Sequence, residues 1–293
     1  MSTGRVSMDG TGPDAAAHRD EVPQFALPLV IRVERATPPE RTDALEAAAR
    51  AVLVFLTDPR TVDGTVDGTV NGTVDGEWTE AFRAWQDGRI RKVVRRARGA
   101  GWDRAAALPG ITVEHGTAQV RVFPPVPVDD WPPDLARLQV SGTELSDEKE
   151  PAEPDPGLPV LWLNPGLEMT AGKAMAQAGH AAQLTWWRLP APSRAAWHDD
   201  DFNLAVRAAP PSRWAELTGS GLPIVRDAGY TEVEPGACTV VADHPALRLA
   251  GVASWVSRHP APPARPAASG PARRPHPRPA GCCCRRSARR TRR

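Results

Sequence analysis

The 293 residues predict an α/β chain in two parts, an α+β N-terminal domain followed by a second domain of alternating strands and helices. Three observations carry this. After Val160, short apolar runs alternate with helical stretches, which is how layered sheets and helices read in sequence. Before Thr143, one strand pattern and one long helix pattern lead into a hairpin signal. Between the two lies residues 146–159, an acidic, Pro-rich stretch with the composition of a linker.

The elements follow in order. Residues 1–22 are small and polar and predict disorder. The N-terminal domain, residues 24–145, opens on Leu29-Val30-Ile31-Arg32-Val33, a strand. Thr37 followed by Pro38 and Pro39 predicts a capped helix start, with the helix running through Ala47–Phe55. Residues 61–76 are four tandem copies of Thr-Val-Asp-Gly, one with Asn71; the period is too short for a packed unit and predicts a flexible loop. Glu77 to Trp102 predicts a helix with Gly88 as a break. That helix would set Arg91, Arg95 and Arg98, spaced four and three apart, on one cationic stripe. Ile111–Glu114 and Ala118–Phe123 alternate around His115-Gly116, a hairpin.

In the second domain, residues 160–247, strands are expected at Val160–Leu163, Leu222–Val225 and Thr239–Ala242, with a short one at Asn203–Arg207. Helices are expected at about Ala171–Trp187 and Ser212–Thr218. The first of these helices puts Lys173, Gln177 and His180 on one face, and its remaining positions are nearly all Ala and Gly. A cation in the first turn opposes the helix dipole unless an anion meets it. Asp227 and Thr231 supply a carboxylate and a hydroxyl at a glycine turn that ends the Leu222–Val225 strand. A lysine, an amide, an imidazole, a carboxylate and a hydroxyl can therefore converge at one mouth. Read alone, Lys173 could be a solvated surface lysine, His180 a core histidine, and Asp227 a turn-forming side chain over Gly229.

The pattern Met169, Gly172, Lys173, Gln177, His180, Ala181, followed by Asp227, Ala228, Gly229, Thr231, Pro235, Gly236, Thr239, Val240, resembles the type-II peptidyl-tRNA hydrolases over about residues 158–247. The resemblance implies a small mixed sheet flanked by helices and a homodimer through that domain. It also implies hydrolysis of the ester between peptide and tRNA, with peptidyl-tRNA as partner. Lys173, His180, Asp227 and Thr231 are then the expected catalytic residues, and Gln177 a substrate contact. Arg91, Arg95 and Arg98 are added as tRNA phosphate contacts on their charge alone. The sequence departs from the family where an Asp-Leu pair precedes the Met: here Gly166-Leu167-Glu168-Met169 stands. Tyr230 replaces a basic turn residue. Other readings of the same residues are a binding module for tRNA or protein without chemistry, and a hydrolase of another aminoacyl-tRNA ester.

Charge and composition narrow the partners. The formal net charge is +1, but eleven of the 36 Lys and Arg and none of the 35 Asp and Glu lie from Arg258 onward, which leaves residues 1–257 at about −10. Nucleic acid must then be met by a local basic patch rather than by global charge. The Arg/Pro-rich tail, residues 258–293, fits either a nucleic-acid-binding arm or a GC-rich gene read in a shifted frame; neither gives it a fold. No apolar run approaches the ~20 residues that span a bilayer, no signal peptide is visible, and a cytoplasmic location is expected. Gly166 to Lys173 fails as a phosphate loop for ATP: five residues separate the glycines, and Ala174 stands where magnesium needs a hydroxyl. No cofactor and no metal is expected. Neighbouring side chains of His198-Asp199-Asp200-Asp201 diverge, which predicts a solvated loop, and Cys282-Cys283-Cys284 lacks zinc-site spacing.

Overall fold

The computed structural model describes residues 23–61, 65–66, 69–70, 76–229 and 232–248. The expectations for residues 1–22, for most of the repeat, for Tyr230 and Thr231, and for residues 258–293 with their three cysteines lie outside the described residues.

The protein is α/β, with two mixed sheets flanked by helices. The first holds β1 (Phe25–Arg32), β4 (Arg91–Ala97), β5 (Ile111–His115), β6 (Ala118–Val122) and the short β7 (Val126–Pro127). Its order is β4-β1-β6-β5, with β4 parallel to β1 and the other pairs antiparallel. The second holds β8 (Val160–Leu163), β9 (Ala205–Ala208), β10 (Ile224–Arg226) and β11 (Cys238–Asp243). Its order is β9-β8-β11-β10, with β9 parallel to β8 and the rest antiparallel. The two sheets thus share one plan: strand, long helix, parallel edge strand, returning hairpin. Within the repeat, β2 (Thr65–Val66) and β3 (Thr69–Val70) pair only with each other.

The long helices are α1 (Arg41–Thr57) and α5 (Ala171–Arg188), and they pack on each other. Each also reaches the other domain's parallel edge strand, α5 touching β4 and α1 touching β9. Small side chains permit this approach. Ala44, Ala48, Ala51, Ala174, Ala178 and Ala181 are fully buried. A Cβ on Gly179 would lie 2.9 Å from Val52 Cγ2. One apolar core containing Leu29, Val52, Phe55, Trp85, Met175, Leu161 and Val240 runs across both sheets.

Several elements differ from the sequence reading. The expected helix over 77–102 is three elements: α2 (Thr79–Asp87), strand β4, and α3 (Gly99–Ala106). Gly88 ends α2 and Ile90 takes φ 46, turning the chain into β4. The segment from Arg91 to Ala97 reads as a charged helix face, yet its Val93-Val94 pair and its seven-residue parallel ladder with β1 make it a strand. Charged residues on both faces had hidden the alternation. Helix α1 begins at Arg41 rather than Thr37. Its cap comes from the acidic stretch, where Asp147 accepts from Thr42 N at 2.7 Å and from Thr42 Oγ1 at 2.8 Å. The stretch 146–159 is therefore docked at that point. Helices α4 (Pro133–Ala136) and α6 (Ala191–Asp199) were not expected, and the latter takes in His198 and Asp199. Helix α7 (Pro211–Gly219) matches its expectation to within one residue at each end.

Past β11, His244 is buried against Trp197, ring centroids 5.0 Å apart, and its Nδ1 accepts from Ala246 N at 3.2 Å. Burial, reinforced by the Arg248 guanidinium and opposed by Asp243, pushes its pKa from 6.5 down to about 4. An unfolded chain binds this proton more readily than the native one. The neutral imidazole's contribution is therefore whole above pH 6.5 and falls as the pH drops toward 4. Thermal melts over that window should show a falling Tm, and His244→Gln should flatten the slope. An equal slope in both proteins would rule His244 out as its source.

Candidate active site

The N-terminus of α5 organises the site. Thr170 is the N-cap, its Oγ1 accepting from Lys173 N at 3.3 Å. Glu232 in turn accepts from Thr170 N at 2.9 Å and Oγ1 at 2.8 Å, tying the helix start to the loop before β11. Two turns of α5 then present Lys173 and Gln177 to the end of β10. There Asp227, only 8% exposed, holds them both. Its Oδ2 takes Lys173 Nζ at 2.5 Å and Gln177 Nε2 at 2.7 Å, and its Oδ1 takes Gly229 N at 2.7 Å. The amide is fixed from behind by Thr239 Oγ1, which donates to Gln177 Oε1 at 2.6 Å. Every atom of the carboxylate is thereby oriented.

Gly229 lets the turn close. It sits at φ +77, and a Cβ there would lie 2.3 Å from Pro235. Gly236 N and Ala237 O both bond the Asp227 backbone, at 2.7 and 3.0 Å. A side chain at 229 would have to move the Pro235 ring and so the loop that frames Asp227.

His180 lies farther along the same face of α5. Burial holds its pKa well below the ordinary range, and the positive charges of Lys92 and Lys173 push the same way. The ring is neutral at working pH. Its Nδ1 is 3.2 Å from Nζ of Lys92, a β4 residue of the N-terminal domain.

These groups line a cleft of about 740 Å³ whose walls come from both domains. The N-terminal domain supplies Arg89, Arg91 and Lys92; the second domain supplies Lys173, Arg226, Asp227 and Glu232. Five cations against two carboxylates make this a local basic mouth on an acidic body. Residues 159–250 match the family model of peptidyl-tRNA hydrolase PTH2.

That segment is similar to a peptidyl-tRNA hydrolase PTH2 domain.

A comparison with curated proteins finds no match. Of the residues singled out in the sequence, the PTH2-like segment brings Lys173, Gln177 and Asp227 into direct contact and leaves His180 on the cleft wall. Thr231 is outside the described residues. The cationic stripe is not formed. Arg91 lines the cleft, but Arg95 donates to the Ala136 and Leu138 carbonyls at 3.2 and 2.7 Å and lies over Trp131. Arg98 caps α3. In a strand a spacing of four keeps Arg91 and Arg95 on one face, but Arg98 lies beyond the end of β4 and so outside that row.

Sequence reading missed Glu232, and it took Arg89 and Lys92 as part of a cationic helix face rather than of this site. A charged residue in a strand of another domain gives no local signal of a shared site. Asn164 is structural, donating to Cys238 O at 2.8 Å and accepting from Gly166 N at 2.8 Å. Glu168, beside the place of the family's Asp-Leu pair, is exposed. On the N-terminal domain, Asp43, Glu46 and His115 bring possible ligand atoms within 4.8 Å of one another. Glu46 is already engaged, by His115 Nε2 at 2.7 Å, Arg207 Nη1 at 2.6 Å and Val206 N at 3.0 Å. Among the described residues, no helix is long and apolar enough to cross a membrane.

Proposed function

We propose that the chain hydrolyses the ester joining a peptide to the 3′ ribose of tRNA. The observation that carries this reading is the Lys173–Asp227–Gln177 contact at the mouth of a basic cleft, within a segment similar to the PTH2 family. Ester hydrolysis needs a positioned water, a group to take its proton, and a donor for the tetrahedral oxyanion. We assign Asp227 to orient the water and accept its proton, with Thr231 supporting it. Lys173, held at one end by Asp227, donates to the oxyanion or the terminal phosphate. Gln177 fixes the carboxylate and contacts substrate. His180, neutral, hydrogen-bonds to substrate. Arg89 and Arg91 receive tRNA phosphates, a contact that positions without reading sequence. Attack by water directly on the carbonyl carbon expels the ribose oxygen, and the proton taken from water returns to it. The cytoplasm, where peptidyl-tRNA arises, is the location that fits.

The test is turnover of purified protein on N-acetylated and free aminoacyl-tRNA, with EDTA present. Cleavage of the blocked substrate alone is the expected result. Cleavage of neither makes the PTH2-like segment a binding module, cleavage of both points to another aminoacyl-tRNA ester, and inhibition by EDTA would bring a metal into the reaction.

A further inference from the structure

Lys92 is a buried amine with no carboxylate beside it among the described residues. Its Nζ faces Gln183 Oε1, the Ile90 carbonyl at 3.4 Å and His180 Nδ1 at 3.2 Å, and lies 4.9 Å from the Trp85 ring centroid. Its side chain is 7% exposed, and burial alone pulls its pKa far down. Among the described residues before the linker, the amine meets the Ile90 carbonyl and the Trp85 ring alone. A methionine of similar length would fill the space without the desolvation cost. The amine's other two partners, Gln183 Oε1 and the His180 imidazole, both belong to the PTH2-like segment.

We propose that Lys92, reaching from the N-terminal domain, is a positioning residue that donates to His180 Nδ1, so that Nε2 carries the ring proton and points it into the cleft. This rests on the hydrolase reading of the site. Gln183 Oε1 and the Ile90 carbonyl can only accept, and they take two N–H bonds. A third N–H, which Lys92 carries as an ammonium, goes to the imidazole, the remaining neighbour able to accept. That fixes Nδ1 as the bare nitrogen. His180 is half-buried on the cleft wall, and its Nε2 meets no hydrogen-bond partner among the described residues. Its N–H is left for the substrate, at the carbonyl or the ribose oxygen. His180 is then a neutral donor, and the role of taking a proton from water falls to Asp227. The charges that act on the ring are Lys92 on β4 and Lys173 on α5; Arg89, Arg91, Arg226, Asp227 and Glu232 line the same cleft.

Two-bond proton–nitrogen spectra of histidine-labelled full-length protein, with His180→Gln identifying the signal, read the tautomer directly. Wild type is expected to show His180 protonated on Nε2. A proton on Nδ1 overturns the proposal whatever the variants do. Lys92→Met should melt at a higher temperature than wild type, lower kcat by roughly 10- to 100-fold with little change in KM, and shift His180 toward a tautomer mixture. It should also move the acidic limb of the rate profile to higher pH, since a repelling cation has gone. Lys92→Gln, which keeps an N–H, should recover part of kcat. A stable Lys92→Met with unchanged kcat and unchanged His180 spectrum also overturns it. If wild type cleaves no peptidyl-tRNA, the hydrolase reading fails separately, and the tautomer alone decides the role of Lys92.

Discussion

Asp227→Asn is expected to fold and to lose about two orders of magnitude or more in single-turnover hydrolysis of peptidyl-tRNA, the scale of losing a positioned base. The carboxylate accepts on both oxygens: Lys173 and Gln177 on Oδ2, Gly229 N on Oδ1. An asparagine has one acceptor oxygen. Whichever way its amide turns, an N–H faces another donor, so Lys173 loses its anchor or the Gly229 turn loosens. Each lost bond at a buried site costs about 1–3 kcal/mol, which should appear as a lower Tm without loss of the fold. Circular dichroism establishes folding, and quenched single-turnover assays measure the rate. A folded variant with near wild-type turnover would remove Asp227 from the chemistry.

Gly179→Leu is expected to be the most damaging single change to the fold. Even a Cβ would stand 2.9 Å from Val52 Cγ2 and 3.2 Å from Lys92 Cδ. Val52 is a branched side chain on a helix and has little freedom to turn aside. Three further carbons would drive α1 and α5 apart, beyond the ~1–3 kcal/mol of ordinary overpacking. Because one core runs across both sheets, wild type should unfold in urea as a single transition, whereas the variant should melt much earlier or in two steps. Gly179→Ala sets a gain of about 1 kcal/mol in helix propensity against the same contact, and its sign reports how far Val52 can yield. An unaltered midpoint for Gly179→Leu would mean that the helices do not meet as described.

How much of this was legible beforehand depended on where the signal was local. The spacing of Lys173, Gln177 and His180 and the Asp227 turn are properties of one helix and one strand end, so they could be read, and the structure joins Lys173, Gln177 and Asp227 as one cluster. Strands β8, β10 and β11 and helices α5 and α7 were legible through apolar runs and turn residues. Strand β4 was not, because its stability comes from a parallel ladder with β1 more than fifty residues earlier, while its charges imitate a helix face. The same non-local pairing carries Lys92 to His180. The α1 cap was hidden likewise: Asp147 lies 105 residues beyond Thr42, and composition alone makes its stretch look like a spacer.

The shared wall of the cleft has a bearing on dilution. A mouth built from two separate chains would open as protein concentration fell below their dissociation constant. Here β4, with Arg91 and Lys92, and α5, with Lys173 and His180, belong to one polypeptide, and the stretch between them is pinned at Asp147. Tethering of this kind holds the second component at an effective concentration of order millimolar, whatever the amount of protein present. The mouth should stay assembled at the scarcity of a low-copy protein.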